Sequence, residues 1–148
     1  MHEFAVGDIV EIETMNGLIY AQITHDHPSY PPVVVVFDGA FDRRPDHTQS
    51  ITGRPPRFTA LISLASALSR LGKQVTLLAN EQVSDPFPIF RTPVRDKLGE
   101  IIYWWLWDGR SLAVDTGTSG PNRDAPLREV MGAAEFWRRL EDQPDQDG

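Results

Sequence analysis

Apolar residues recur in short runs along the first third of the chain, and many of them are β-branched. The runs 7–13 and 18–23 each favour a strand, and Asn16-Gly17 between them is the dipeptide most typical of a tight hairpin turn. Residues 33–37 are apolar throughout, and they lie between a Pro-Pro and an Asp-Gly pair. This pattern predicts a third strand that is central in its sheet and buried on both faces.

The apolar spacing changes to that of a helix after residue 59. Apolar residues recur every three or four positions at Leu61, Leu64, Ala65, Leu68 and Leu71. Thr59 can cap the start of this segment and Gly72 its end. The spacing predicts a central helix over Ala60–Leu71, followed by a strand over Gln74–Leu78.

The last third of the chain contains a second predicted hairpin and a second predicted helix. Strands over Ile101–Trp107 and Ser111–Val114 are joined by an Asp-Gly turn, and the three prolines in residues 85–99 exclude a regular helix before them. Residues 41–56 and 115–126 show no period and are predicted loops. One helical face is shared by Ala133, Phe136, Trp137 and Leu140, which predicts a C-terminal helix.

Strands in hairpins with two separate helices indicate an α+β fold. We expect a strongly bent antiparallel sheet, forming a small, partly open barrel, with one central helix and a C-terminal helix. A chain of 148 residues is the usual size of one domain, so residues 1–141 are predicted to form a single domain. Residues 142–148 are predicted to be a disordered acidic tail.

The aromatic strand, residues 103–107, reads Tyr-Trp-Trp-Leu-Trp. In a strand, Tyr103, Trp105 and Trp107 lie on one face and Trp104 on the other, so both faces are apolar. One face can cover a core, and the other must be packed over or meet a partner. Trp105 and Trp107 are therefore candidate partner-binding residues, because tryptophan dominates binding hot spots as well as ordinary cores.

The net charge is −7, with 21 acidic against 14 basic residues. Proteins that bind nucleic acids concentrate Lys and Arg, so this balance argues against a nucleic-acid partner and favours a basic protein partner. No apolar run approaches the length of a membrane span, and the first residues lack the pattern of a secretory signal. The chain has no cysteine. These features predict a cytoplasmic protein that does not interact with membranes.

Candidate catalytic chemistry is limited to one segment. An apolar strand runs into Asp115-Thr-Gly-Thr-Ser, which is similar to the catalytic loop of aspartic proteases, where two such carboxylates share a proton. The likeness covers about six residues and only 33 residues follow Asp115. An aspartic-type hydrolase at Asp115 is kept as a minor alternative, while a simple turn after a strand is favoured.

His25 and His27 flank Asp26 in a predicted loop and could both face a metal ion. A zinc site needs three or four ligands, and nothing in the spacing requires His47 and its neighbouring aspartates to complete one. The sequence also lacks a nucleophile elbow, a phosphate-binding loop and a dinucleotide fingerprint. No metal, no cofactor and no enzymatic activity are therefore predicted.

The opening strand 4–12, the hairpin 16–23 and the valine strand ending at Phe37 resemble bacterial immunity proteins of polymorphic-toxin systems, most closely immunity-protein family 26. A later Pro88-Ile-Phe-Arg segment and the aromatic strand ending in the turn at Gly109 extend the resemblance. The resemblance covers residues 4–37 and, more loosely, 74–112. It does not include the predicted central helix or the Asp-Thr-Gly loop.

The resemblance implies a non-enzymatic protein that binds and neutralises a cognate toxin. A toxin with a basic cleft would be attracted by an acidic surface. The proposed docking carboxylates lie in the acidic first third of the chain, near two hairpin ends: Asp8, Glu11, Glu13, Asp38 and Asp42. The alternative is a small-barrel interaction or assembly module, of phage or mobile-element origin, that uses the aromatic strand for oligomer contacts.

Overall fold

The computed structural model describes residues 3–115 and 124–142. Within these residues, eight strands form two antiparallel sheets, accompanied by three short helices, so the α+β prediction is confirmed at this level. The described residues show no closed barrel. The strands are β1 (Asp8–Thr14), β2 (Gly17–His25), β3 (Val33–Phe37), β4 (Pro56–Leu61), β5 (Val75–Asn80), β6 (Phe90–Arg95), β7 (Ile101–Trp107) and β8 (Leu112–Asp115). The helices are α1 (Gln49–Thr52), α2 (Leu64–Arg70) and α3 (Ala133–Glu141).

The chain divides into two compact units. The large unit comprises residues 1–83 and 130–148, and the small unit comprises residues 84–129. The sequence-based prediction of one domain over residues 1–141 stays a prediction. The predicted acidic tail lies outside the described residues except for Asp142, which directly follows α3.

The large unit is built on a five-stranded antiparallel sheet with the strand order β4-β3-β2-β1-β5. One face packs against the two longer helices, where Phe136 and Leu140 of α3 are fully buried. The other face buries Ile9, Tyr20 and Phe37 beneath the segment that contains α1 and its buried Ile51. Side chains from alternate positions of β1 to β3 are thus buried on both sides, as predicted for the valine strand.

The predicted helix over Ala60–Leu71 is wrong at its start. Ala60 and Leu61 are the last residues of β4, where they lie opposite Val34 and Val33 of β3. The ladder satisfies the backbone groups that a helix would otherwise pair, and it buries Ala60 in the core. The helix begins only at Leu64 and ends at Arg70.

Glu3 satisfies donors at the start of α2. Its carboxylate oxygens accept the backbone N–H groups of Ala65 and Ser66, each at 2.9 Å. The first N–H groups of a helix have no partner within the helix, so a carboxylate at this position stabilises the helix end. Sequence periodicity gives no sign of this contact, because Glu3 lies more than sixty residues away along the chain.

The small unit contains a three-stranded antiparallel sheet with the order β6-β7-β8. The predicted hairpin is confirmed: β7 has the predicted bounds, and β8 begins one residue later than expected, at Leu112. The third strand of this sheet, β6, lies in the proline-rich segment, for which the sequence pattern predicted no regular secondary structure. Pro93 lies within β6, an edge strand, where a missing N–H is tolerated.

Candidate protein-binding surfaces

Glu11, a predicted docking residue, is engaged within the large unit. Arg44 donates two hydrogen bonds to its carboxylate, from Nε at 2.8 Å and from Nη2 at 3.0 Å. The hydroxyl of Tyr20 donates a third, at 2.7 Å. The Glu11 side chain is only 11% exposed, whereas that of Arg44 is 54% exposed. A carboxylate with these partners anchors the segment that carries Arg44 to the sheet.

The same contacts change the acidity of both partners. The hydrogen bond from Arg44, supported by that from Tyr20, holds the pKa of Glu11 below its ordinary value of 4.5. Burial, together with the hydrogen bond to Glu11, raises the pKa of the Tyr20 hydroxyl above its ordinary value of 10. Glu11 is therefore charged and Tyr20 protonated at neutral pH, and this favours the observed hydrogen bond.

Asp8 is buried at the start of β1, and its carboxylate also has intramolecular partners. One oxygen accepts the backbone N–H of Ala5 at 2.8 Å, and the other accepts the side-chain amide of Asn80 at 2.9 Å. These bonds tie the start of β1 to its own N-terminal approach and to the end of β5. Two of the five predicted docking carboxylates thus support the fold.

The remaining three acids are placed differently. Glu13 and Asp42 are exposed, and Asp38 is half-buried at the end of β3. Phe41, the residue before Asp42, forms a bridge with Leu18, which lies opposite Glu13 in the β1–β2 ladder. Arg43 and Arg44 follow Asp42 directly, and this loop is therefore mixed in charge rather than uniformly acidic.

The aromatic face of the small unit comprises Tyr103, Trp105, Leu112 and Val114. The two rings contact each other edge to face, with centroids 5.8 Å apart, and Trp105 lies opposite Val114 in the ladder. Tyr103 and Trp105 are half-buried, while Leu112 and Val114 are exposed. Exposed aliphatic groups beside partly accessible aromatic rings on one sheet face are typical of protein-binding surfaces.

Trp107, the other predicted docking tryptophan, is buried and belongs to a core. Its ring packs against Phe87 and Phe90, with centroid distances of 5.4 and 5.8 Å. Phe87 comes from the proline-rich segment, which had enough apolar residues to pack against a sheet. Trp105 and Trp107 therefore have different environments, although they share one strand face in the sequence pattern.

The opposite face of β7 holds a contact that sequence analysis missed. The guanidinium of Arg91 stacks over the ring of Trp104, with its Cζ 4.2 Å from the centroid. Arg91 Nε also donates to the carbonyl of Ala125 at 2.9 Å. The pairing of β6 with β7 brings these residues together, placing Arg91 opposite Leu106 and beside Trp104. A strand register for β6 would have been needed to predict it.

The candidate metal ligands His25 and His27 form local contacts with neighbouring residues, and the candidate catalytic residue Asp115 lies at the end of a strand. His25 Nδ1 lies 2.9 Å from the Thr24 hydroxyl, and His27 Nδ1 accepts the N–H of Ser29 at 3.0 Å. Residues 3–115 and 124–142 contain no group of three or more His, Asp or Glu arranged to hold a metal ion. Asp115 ends β8 opposite Trp104, while the following Thr116–Gly120 segment lies outside the described residues.

None of the helices in the described parts of the chain has both the length and the apolar character needed to cross a membrane. No protein-family model, curated protein or solved structure matches the chain. The resemblance to immunity proteins accordingly stays a prediction.

Proposed function

We propose that this protein acts by binding another protein and that its aromatic face forms the docking surface. The observation that carries the proposal is the pair Tyr103 and Trp105, held edge to face beside the exposed side chains of Leu112 and Val114. Aromatic rings on a regular strand provide a large contact area at little cost in conformational entropy. A partner that covers them removes apolar surface from water.

The charge of the chain supports a basic partner. A net charge of −7 attracts a positively charged protein over a longer range than direct contacts and accelerates its encounter. Glu13 and Asp42 are the predicted docking acids that remain exposed for this role. A basic toxin domain, neutralised by being bound, is the partner that the resemblance to immunity proteins implies.

Two sequence-based predictions belong with this proposal. The protein is proposed to act in the cytoplasm, where a toxin made by the same or a neighbouring cell would meet it. The five-stranded sheet of the large unit is proposed to bend into a partly open barrel. The proposal includes neither a nucleic-acid ligand nor a cofactor.

Affinity capture tests this proposal when wild type and two matched variants are compared as bait in an extract of the native host. Trp105→Ala removes the central ring of the aromatic face. Leu98→Ala removes an apolar side chain that is 86% exposed in the turn before β7, outside that face. We expect one protein to be retained by wild type and by Leu98→Ala and to be lost from Trp105→Ala.

A purified partner then allows the remaining steps to be tested. Its association rate should fall as ionic strength rises, because salt screens long-range attraction. If the captured protein is a toxin, adding wild type should suppress its activity at stoichiometric ratio. Equal capture by wild type and Trp105→Ala would contradict the docking surface. Hydrolysis of a peptide by wild type that is lost in Asp115→Asn would instead favour the minor hydrolase alternative.

A further inference from the structure

The turn between β1 and β2 carries an asparagine followed by a glycine. Asn16 is exposed and its neighbour Met15 is 90% exposed, so water reaches the Asn16 side chain. The chain has three asparagines, and Asn16 is the one that precedes a glycine, since Asn80 precedes glutamate and Asn122 precedes arginine. Glycine has no Cβ, so its backbone nitrogen can be approached closely by the preceding side chain.

The fold requires glycine at position 17. The φ of Gly17 is +123°, in a region that residues with a side chain rarely adopt. A Cβ at Gly17 would lie 2.7 Å from the backbone carbonyl oxygen of Phe41, closer than van der Waals contact allows. The same oxygen accepts the backbone N–H of Leu18 at 2.8 Å, which holds it in place. The Asn-Gly pair is therefore fixed by the tertiary structure on its glycine side.

The Asn16 side chain supports the end of α3. Its Nδ2 donates a 3.1 Å hydrogen bond to the backbone carbonyl of Glu141, the last residue of that helix. The last carbonyl groups of a helix have no partner within the helix. Arg57 donates to the following carbonyl, that of Asp142. Two side chains from the sheet thus hold the end of the helix that buries Phe136 in the core.

We propose that Asn16 is a site of spontaneous deamidation and that loss of its amide releases the end of α3. The backbone nitrogen of Gly17 attacks Cγ of Asn16, so that an N–Cγ bond forms and the Cγ–Nδ2 bond breaks. Nδ2 leaves as ammonia with the proton that the Gly17 nitrogen gave up. Water then opens the resulting succinimide ring at either carbonyl, which gives aspartate or isoaspartate. The net reaction consumes one water, releases one ammonia and needs no oxidant or reductant.

The contacts of Asn16 leave this reaction open, whereas those of Asn80 do not. For the attack, the Asn16 side chain must turn from Glu141 towards Gly17, which breaks one exposed hydrogen bond that water can replace. Asn80 Nδ2 donates two hydrogen bonds, to the carbonyl of Val6 at 3.0 Å and to the carboxylate of Asp8 at 2.9 Å. Asn80 is exposed as well, so it serves as an internal control within the same molecule.

Either product changes the contact with α3. An aspartate carboxylate has no N–H group for the Glu141 carbonyl, and it places a negative charge near the negative end of the helix dipole. Isoaspartate also lengthens the backbone by one carbon atom between Thr14 and Gly17, which are paired in the ladder. We therefore expect the last turn of α3 to open more readily in the modified protein.

Peptide mapping by mass spectrometry, after incubation of the folded protein at mildly alkaline pH, tests the chemistry. The peptide that contains Asn16 should gain the mass difference between an acid and an amide, and part of it should contain isoaspartate. Asn80 should keep its amide. Asn16→Gln should stay unmodified, because closure would then need a less favourable six-membered ring. The proposal is overturned if Asn16 keeps its amide for as long as Asn80 does.

Hydrogen exchange and thermal unfolding test the consequence for the helix. Asn16→Asp, which reproduces one product, should speed exchange of the backbone amides in the last turn of α3 and lower the midpoint of unfolding. Met15→Asp adds the same charge one residue earlier and leaves the Asn16 amide in place, so it should change neither quantity. Equal effects of the two variants, or no effect of Asn16→Asp, would contradict the release of α3. Asn16 and the aromatic face belong to different units, so these outcomes are distinct from those that test partner binding.

Discussion

Tyr20 and Glu11 lie directly opposite each other across the β1–β2 ladder, and the tyrosine hydroxyl donates a 2.7 Å hydrogen bond to the carboxylate. Arg44 binds the same carboxylate from the segment between β3 and β4. The three side chains close that segment over the second buried face of the sheet. Glu11, a predicted docking residue because of its charge, therefore stabilises the fold. A basic partner would have to compete with Tyr20 and Arg44 for its carboxylate.

Tyr20→Phe should destabilise the large unit while leaving the ring in place. The ring is buried against Phe41, so the substitution removes only the hydrogen bond to a charged acceptor. We expect a loss of about 1–2 kcal/mol in the free energy of unfolding, measured by urea denaturation.

Arg44→Ala should also destabilise the large unit, and the matched change Arg43→Ala at the preceding exposed position should have no effect. Equal effects of the two arginine variants would contradict the assigned contact.

The stability of the large unit should fall as the pH is lowered into the acid range. The pKa of Glu11 is lowered in the folded state, so its contribution is complete above the ordinary value of 4.5 and is lost as the pH falls through the folded-state pKa. In Glu11→Gln this part of the pH dependence should be absent. Urea denaturation of both proteins at neutral pH and below pH 4.5 measures the difference.

Other carboxylates will contribute to the same acid transition, which makes the comparison with Glu11→Gln necessary. Hydrogen bonds from Arg139 and Arg138 lower the pKa of Glu135, which also belongs to the large unit. The variant should therefore have a reduced slope, not a flat profile. An unchanged slope would show that Glu11 does not gain its partners on folding.

Gly109→Ala should destabilise the small unit much more than Gly99→Ala. Both glycines occupy hairpin turns of the same sheet with positive φ, at +93° and +87°. A Cβ at Gly109 would lie 2.8 Å from the ring of Phe87, whereas a Cβ at Gly99 would meet no atom within 4 Å. Gly99→Ala should therefore cost only the backbone strain of about 1–2 kcal/mol. Thermal unfolding of the two variants measures the difference, and equal costs would contradict the close approach.

Trp107→Ala and Trp105→Ala should separate stability from binding. Trp107 is 5% exposed within the cluster with Phe87 and Phe90, so its removal should cost about 3–5 kcal/mol of stability. Trp105→Ala should cost clearly less in stability and should weaken partner binding at least tenfold, as expected for a hot-spot tryptophan. Chemical denaturation and titration calorimetry measure the two quantities. If Trp107→Ala lowered the free energy of unfolding less than Trp105→Ala, the assignment of Trp107 to the core and Trp105 to the surface would be contradicted.

Neutralising the exposed acids should change the rate of partner association more than its dissociation. Glu13→Gln and Asp42→Asn remove charge without altering a described hydrogen bond of the carboxylate. The buried comparison is Asp8→Asn, which should lower the stability of the fold and not the association rate, because the Asp8 carboxylate accepts two hydrogen bonds. Long-range attraction acts on the encounter rate, so the two surface variants should associate more slowly at low salt and equally fast at high salt. Surface plasmon resonance at two salt concentrations gives both rates.

Local patterns in the sequence were sufficient for the elements whose stability depends on near neighbours. The β1–β2 hairpin, β3, β7 and α3 were all predicted close to their observed bounds, because alternation, turn residues and helical spacing act over a few residues. The start of the predicted central helix was wrong because Ala60 and Leu61 gain more from the ladder with β3 than their helical spacing offers. α1, a single turn, has no pattern long enough to be detected.

The sequence by itself determined which residue types are present to form a docking surface: an excess of acids and a strand of aromatic residues. Only the tertiary structure decided how they are used, because hydrogen bonding and burial depend on residues distant in the chain. Arg44 and Tyr20 engage Glu11, Asn80 engages Asp8, and Phe87 with Phe90 buries Trp107. Of the predicted docking residues, Glu13 and Asp42 stay exposed, while Asp38 and Trp105 are half-buried.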